Sequence, residues 1–392
     1  MGSAPPAPGG GTRLATQRDI ELASLLYRSG ILSQEQIQGA LGHQGRLLSE
    51  GKILSLPEVL VEQAHMTAEV AATFTLAPLE KLQPFDGYRL DARIGDGASA
   101  RVYRGAYLPK DLAVAVKVLH PEQALQEKPL KRFVREARLL CKLRHDNVVK
   151  GYECRNVKGF WFLSMEWLQG GTVLERIDKR GPVEANAALH ITRQVARALS
   201  FLYSQGIVHR DIKPGNILVD DAWNVKLIDL GLCRILGKTE EASGTTVGTV
   251  GYISPEQAKG MSDLDIRSDI YSLGVTLYHM VVGEVPFSGE NDLEVMSKQI
   301  LQSLKSDRLK SVNIAPYVHF AIEKMMAKDR DIRFQHPDDL VRDLDGYLDT
   351  VQFQPIPLAR PVAETKGREP PRTQPRSDVK PTAPISRRKR YR

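Results

Sequence analysis

Apolar residues recur along this chain in three successive patterns, and each predicts a different kind of element. Between residues 18 and 80 they fall at helical spacing, with Ile20, Ala23, Leu26 and Tyr27 on one face. The stretch Leu25-Leu-Tyr-Arg-Ser-Gly-Ile-Leu-Ser-Gln-Glu is echoed 34 residues later as Val59-Leu-Val-Glu-Gln-Ala-His-Met-Thr-Ala-Glu. Each copy reads as an amphipathic helix, a turn, and then Ser33 or Thr67 as the N-cap of the next helix. Ser33 with Gln36 also satisfies a capping box. Two copies are too few for a solenoid. The region therefore reads as a small helical bundle, either a docking module or an extension packed on the domain C-terminal to it.

From residue 85 the pattern changes to short alternating strands. Tyr88, Leu90, Ala92 and Ile94 are expected on one face of the first, and Val114, Val116 and Val118 on one face of another. After about residue 170 helical stripes take over, one of Ala188, Ile191, Val195, Ala198 and Leu202, another of Ile270, Leu273, Leu277 and Val281. A strand-rich part followed by a helical part predicts an α+β, two-lobed domain over residues 85–350. The flanks carry no periodicity. Residues 1–17 are a small-residue leader, and residues 351–392 hold eight prolines and the run Ser386-Arg-Arg-Lys-Arg-Tyr-Arg, so both are expected to be disordered.

Charge sharpens that division. The 392 residues carry a net +7, yet residues 351–392 alone hold eleven Lys/Arg against three Asp/Glu, a net of +8 that leaves −1 for the rest. Any polyanion contact belongs to the tail, whose bland alternative is a solvated charge run. Cys141, Cys154 and Cys233 lack metal spacing and are too few for a disulfide framework, which points to a reducing compartment. Cys233 reads as a small buried hydrophobe or, less plainly, a thiol switch. No apolar run approaches the roughly 20 residues of a membrane helix, and Met1 to Gly11 lacks a signal-peptide layout. The expected setting is cytoplasmic.

Five short segments carry chemistry. Ile94, Gly95, Asp96, Gly97, Ala98, Ser99, Ala100, Arg101 and Val102 join two strands through a Gly-rich turn whose amides could approach phosphate, or which is only a hairpin. Val114-Ala-Val-Lys117 places Ala115 and Lys117 opposite the valines. A lysine in so apolar a strand needs an anion, which Glu136 could supply, unless it snorkels to the surface. His209-Arg-Asp-Ile-Lys-Pro-Gly-Asn216 gathers a carboxylate, a lysine and a carboxamide in one loop. Phosphoryl transfer needs those types: a base by the attacking hydroxyl, a cation on the phosphate and an oxygen ligand for magnesium. Asp229, thirteen positions beyond Asn216 at a strand end, can complete an all-oxygen magnesium site. The fifth segment is Gly248-Thr-Val-Gly-Tyr-Ile-Ser-Pro-Glu256, with Asp269 and Arg333 further on.

In this order and spacing the set resembles the eukaryotic-like protein kinase family, and more closely its bacterial serine/threonine branch. The resemblance spans about residues 85–350 and implies ATP and Mg2+ as ligands and proteins with Ser/Thr acceptors as substrates. It gives Lys117, paired with Glu136, to the α- and β-phosphates; Asp211 to the acceptor hydroxyl; Lys213 to the γ-phosphate; and Asn216 and Asp229 to magnesium. Met165 is implied as gatekeeper, Glu166, Trp167 and Leu168 as the hinge, and Val102, Ala115 and Leu218 as the adenine sandwich. Glu256 and Arg333 are implied as a buried ion pair, Asp269 as a support of the catalytic loop, and Thr249 as a structural contact to it. Arg210 is implied to receive a phosphate on the segment between Asp229 and Glu256, where Ser243, Thr245 and Thr246 are the candidate phosphosites.

The sequence departs from the family pattern at three places. Ala100 stands for the third loop glycine, Leu230 follows the metal-binding aspartate in place of phenylalanine, and Ser254 precedes Pro255-Glu256 in place of alanine. None removes a polar catalytic group. The reading is a serine/threonine kinase that autophosphorylates in its activation segment. The alternative is a pseudokinase scaffold that binds nucleotide and recruits partners through residues 18–80.

Overall fold

The computed structural model describes residues 17–71 and 86–353, apart from 29, 51, 53, 69, 158, 237–248, 305–308, 310, 311 and 313. Most of the expected leader and tail falls outside the described residues. Gln17 already belongs to a helix. At the other end regular hydrogen bonding continues past residue 350, where the Phe353 amide donates to the Leu348 carbonyl at 3.1 Å.

Helices α1 (Gln17–Arg28), α2 (Gln34–Ser49) and α3 (Leu56–Glu62) share one apolar core. The face that α1 buries differs from the expected one. Leu22, Ala23 and Leu26 point inward, while Ile20 and Tyr27 are 49% and 50% exposed. The reason is polar. Asp19 is buried, one of its oxygens accepting from the Leu56 amide at 3.0 Å and the other from Gln44 Nε2 at 3.3 Å. Those bonds set the rotation of α1 about its axis, because an unpaired buried carboxylate would be costly.

The 34-residue echo reappears in the backbone. Ile31 and Leu32 both donate to the Leu26 carbonyl, and 34 positions on His65 and Met66 both donate to that of Leu60. Gly30 and Ala64 occupy the same left-handed position, φ +68° and +56°. Glycine takes this conformation freely, whereas alanine pays about 1 kcal/mol for it. Ser33 caps α2 reciprocally with Gln36, and Thr67 Oγ1 accepts from the Val70 amide at 3.4 Å.

The first lobe contains β1 (Tyr88–Asp96), β2 (Ala100–Tyr107), β3 (Leu112–Leu119), α4 (Pro121–Ala124), α5 (Glu127–Lys142), β4 (Gly151–Val157) and β5 (Phe160–Glu166). Its antiparallel sheet has the order β1-β2-β3-β5-β4. Val114, Val116 and Val118 are buried with Tyr88, Tyr103 and Phe162. The alternation read for β1 does not hold beyond Leu90. The β1–β2 register shifts between Leu90 and Ala92 and again between Arg93 and Gly95, leaving Ala92 exposed and Ile94 45% exposed. Each slip turns the following side chains to the other face. Leu125, just after α4, packs on the core of α1–α3.

The second lobe begins with β6 (Gly170–Thr172), α6 (Val173–Arg180) and α7 (Ala185–Ser204). Four short strands follow, β7 (Ile207–Val208), β8 (Ile217–Asp220), β9 (Val225–Leu227) and β10 (Arg234–Ile235). The last helices are α8 (Pro255–Ala258), α9 (Ile266–Val282), α10 (Asp292–Leu301), α11 (Pro316–Met325) and α12 (Pro337–Thr350). Helix α9 is buried on nearly every side, and α7 buries the expected stripe. Strands β6, β8 and β9 pair in that order, and β10 pairs with β7. The loop 209–216 leaves β7 and enters β8, while Asp229 follows β9. Two short antiparallel pairings thus bring both polar segments to one edge of the lobe.

Candidate active site

The site forms where the first sheet meets the β7–β9 loops. On β3, Ala115 pairs with Met165 and Lys117 with Val102 across the sheet. Lys117 Nζ lies 2.8 Å from Glu136 Oε1 on α5 and 4.0 Å from Asp229 Oδ1. Only 18% of the lysine side chain and 7% of the glutamate remain exposed, so the snorkelling alternative does not describe this lysine. Desolvation pushes Lys117 down, but the Glu136 and Asp229 carboxylates outweigh it and hold the ammonium above its usual range. Desolvation likewise pushes Asp229 up, and Lys117 with the Gly231 amide outweighs it, so this carboxyl sits below its ordinary range.

Asp229 itself has φ +66°. Its Oδ1 accepts from the Gly231 amide at 3.0 Å. A Cβ on Gly231 would stand 3.0 Å from that oxygen and 3.3 Å from Glu136 Oε2, so only glycine fits without displacing them. Leu230 is fully buried, filling an apolar slot with its side chain. Two arginines on α5 reach the same segment. Arg132 Nε donates to the Gly231 carbonyl at 2.7 Å and Arg135 to that of Cys233 at 2.9 Å.

The loop 209–216 is held from below by Asp269. One carboxylate oxygen accepts from the His209 amide and the other from the Arg210 amide, both at 2.7 Å. Burial pushes the Asp269 carboxyl up to about 7, against those two bonds, which favour the ionised form. They stabilise Arg210 at φ +71°, a strained value for a side-chain-bearing residue. Gln257 Nε2 adds a bond to the Arg210 carbonyl at 3.0 Å.

Asp211 stands at the centre. Lys213 Nζ is 2.8 Å from its Oδ2, and Asn216 Nδ2 donates to the same oxygen at 2.9 Å and to the Asp211 carbonyl at 2.8 Å. Thr249 approaches Oδ1 at 3.3 Å through both its amide and its hydroxyl, and Lys213 Nζ donates to that hydroxyl at 2.5 Å. With both Asn216 amide hydrogens directed at Asp211, its carboxamide oxygen is the atom left to bind a ligand. That oxygen and the Asp229 carboxylate are hard donors of the kind magnesium takes. The residues present therefore fit the metal.

Of the residues expected to surround adenine, Met165 and Ala115 are buried, while Val102, Glu166, Trp167, Leu168 and Leu218 are half-buried. The Glu166 carboxylate is bound from two sides, by the Lys150 amide at 2.7 Å and Lys226 Nζ at 2.9 Å. Lys226 belongs to β9 and has no sequence signal, since it is one charged residue in a three-residue strand. The Gly-rich turn closes with the Gly97 amide donating to the Ala100 carbonyl at 3.0 Å. Neither Gly95 nor Gly97 has a positive φ, and a Cβ on either would make ordinary contacts. Ala100 pairs regularly with Leu119, so the missing third glycine distorts nothing. Ser243, Thr245, Thr246 and Gly248 lie outside the described residues.

Farther from the chemistry, Arg333 and Glu256 form a two-pronged pair, 2.7 and 3.0 Å, with side chains 0% and 5% exposed. Ser268 donates to Glu256, and the guanidinium also reaches the carbonyls of Arg267, Ala327 and Lys328.

A two-lobed fold with a lysine–glutamate pair above an Asp-Lys-Asn loop defines the protein kinase class. The family described as the protein kinase domain matches residues 88–341, and the chain belongs to it. Among curated relatives, the chain is 33% identical to the serine/threonine-protein kinase PrkC of Bacillus subtilis over 263 residues, 67% of this chain and 40% of that protein. It is 37% identical to the serine/threonine-protein kinase PknL of Mycobacterium tuberculosis over 227 residues, 58% of this chain and 57% of that protein. A probable serine/threonine-protein kinase PknB of Lactococcus lactis matches at 33%, over 66% of this chain and 42% of that protein. The match thus spans about two fifths to three fifths of these relatives.

Proposed function

We propose that this chain is a catalytically active serine/threonine kinase, transferring the γ-phosphate of Mg-ATP to protein hydroxyls. The observation that carries the reading is the Asp211 carboxylate bracketed by Lys213 and Thr249. In the reaction the acceptor hydroxyl gives its proton to Asp211, its oxygen bonds to the γ-phosphorus, and the bond to the bridging oxygen breaks to release ADP. Lys213 lies beside the position where charge gathers, and Lys117 holds the remaining phosphates. Asn216 and Asp229 would hold magnesium, whose charge neutralises the phosphates. The named kinases among the relatives support the same chemistry. Incubation with Mg-ATP and a generic acceptor should yield phosphoserine or phosphothreonine; phosphotyrosine alone, or no transfer, would overturn the reading.

The proposal extends to activation. Phosphorylation within Ser243 to Thr246, foremost at Thr245 or Thr246, adds roughly −1.5 to −2 charges that Arg210 can bind. Mass spectrometry of phosphatase-treated enzyme before and after Mg-ATP should reveal it. A Ser243/Thr245/Thr246 triple-alanine variant as active as incubated wild type would refute the control. Partner docking through residues 18–80 and polyanion contact through the basic tail are further proposals, supported by the apolar core that α1–α3 share and the tail's net +8. Their test is retention on heparin, which a chain ending at Thr350 should lose, and partner capture that fails without residues 18–80. A cytoplasmic setting is supported by the three cysteines, all free thiols.

A further inference from the structure

The Gly-rich turn is gripped from behind by a residue that no motif includes. His120 directly follows β3, three positions beyond Lys117. Its amide donates to the Ser99 carbonyl at 2.9 Å, and its Nε2 lies 2.9 Å from the Gly97 carbonyl oxygen. A carbonyl only accepts, so Nε2 carries the hydrogen. Asp96 Oδ1 stands 3.5 Å from the same nitrogen, and Asp96 is itself paired with Arg93 at 2.9 Å and Arg101 at 3.7 Å. The imidazole is only 10% exposed, so this is a packed contact and not a surface encounter. On its other side the His120 carbonyl accepts the amides of Gln123 and Ala124, which anchors the residue to α4.

We infer that His120 is a positioning residue for nucleotide, latching the Gly-rich turn through the Gly97 carbonyl; this rests on the ATP-dependent reading above. A peptide unit is planar and trans, so its carbonyl and amide point to opposite sides. Holding the Gly97 carbonyl toward His120 therefore directs the Ala98 amide away from it, on the side open to a phosphate. Neither glycine of the turn is fixed by its own conformation or by crowding. The Gly97–Ala100 backbone bond closes the turn from within, and the imidazole is the side chain that holds the Gly97 carbonyl from outside it. The grip also explains how a turn lacking its third glycine keeps a phosphate-ready shape: freedom at Ala100 is not needed where the neighbouring peptide is clamped.

The test uses the full chain with His120→Leu, which keeps bulk but has no donor, and His120→Gln, whose amide nitrogen reaches about as far as Nε2. His120→Leu should raise the KM for ATP and weaken ATP affinity about three- to tenfold, with kcat within about twofold and an unchanged nucleotide-free melting temperature. His120→Gln should bring both constants back to within about twofold of wild type. Wild-type ATP constants in His120→Leu would overturn the latch. So would glutamine and leucine variants equally impaired in step with lowered melting temperature. Because ATP affinity is measured by calorimetry apart from turnover, a chain that binds ATP but transfers no phosphate would sink the proposed activity while the three affinities still decide the latch. Absence of ATP binding in the wild type would end both.

Discussion

Asp211→Asn should lower phosphotransfer by about 10²- to 10⁴-fold, the usual worth of a positioned general base, while ATP binding stays within about twofold of wild type. Asparagine has the shape of aspartate but cannot accept the hydroxyl proton. The substitution also removes the charge that holds Lys213 at 2.8 Å, so the ammonium loses its set position. On the proposed roles, nucleotide affinity rests on Lys117, Glu136 and Asp229, none of which bonds to Asp211. Initial rates on a generic acceptor and calorimetric titration with ATP separate the two effects. A variant keeping more than half of the wild-type rate would remove Asp211 from the role of base.

The second large effect concerns folding. Arg333→Met should destabilise the second lobe by about 3–5 kcal/mol, because it strands a buried carboxylate. Glu256 would keep only Ser268 among its side-chain partners, and three backbone carbonyls would lose a donor. Denaturant unfolding measures the loss; a change below about 1 kcal/mol would mean that the pair is dispensable. The pH dependence has a definite sign. Desolvation pushes Glu256 up, but the Arg333 bonds and charge outweigh it and hold the carboxyl below 4.5. A depressed folded value contributes stability that is present above about pH 4.5 and is lost as pH falls through the lower folded value. Arg333→Met should therefore flatten acid destabilisation in that window.

The sequence read well wherever an element's own period decides burial. Val114, Val116 and Val118 are buried because β3 lies between two partners with an unbroken register, so period two suffices. It read poorly where a distant partner sets the phase. In β1 two register shifts against β2 turn Ala92 and Ile94 outward, and nothing in β1 itself announces them. In α1 the buried Asp19 fixes which face turns inward, through bonds to Gln44 and Leu56 that are 25 and 37 positions away. The polar loop 209–216 was legible because so many functional groups in one short stretch serve no fold. The supports of that loop and of the Gly-rich turn were less so. Asp269 and Thr249 emerged only through family resemblance, and His120, Lys226, Arg132 and Arg135 did not emerge at all. Each is a single polar residue whose partner lies elsewhere in the chain.

The carboxylate of Glu166 sits at the link between the lobes, bonded to the Lys150 amide, which leads into β4 of the first lobe, and to Lys226 on β9 of the second. A charge fastened to both sides there ties the two segments together through a single carboxylate oxygen. The ion pair is half-buried and is therefore screened by salt much less than an exposed pair would be. Added salt should therefore leave this tie largely in place, at a point removed from the groups proposed to hold the phosphates.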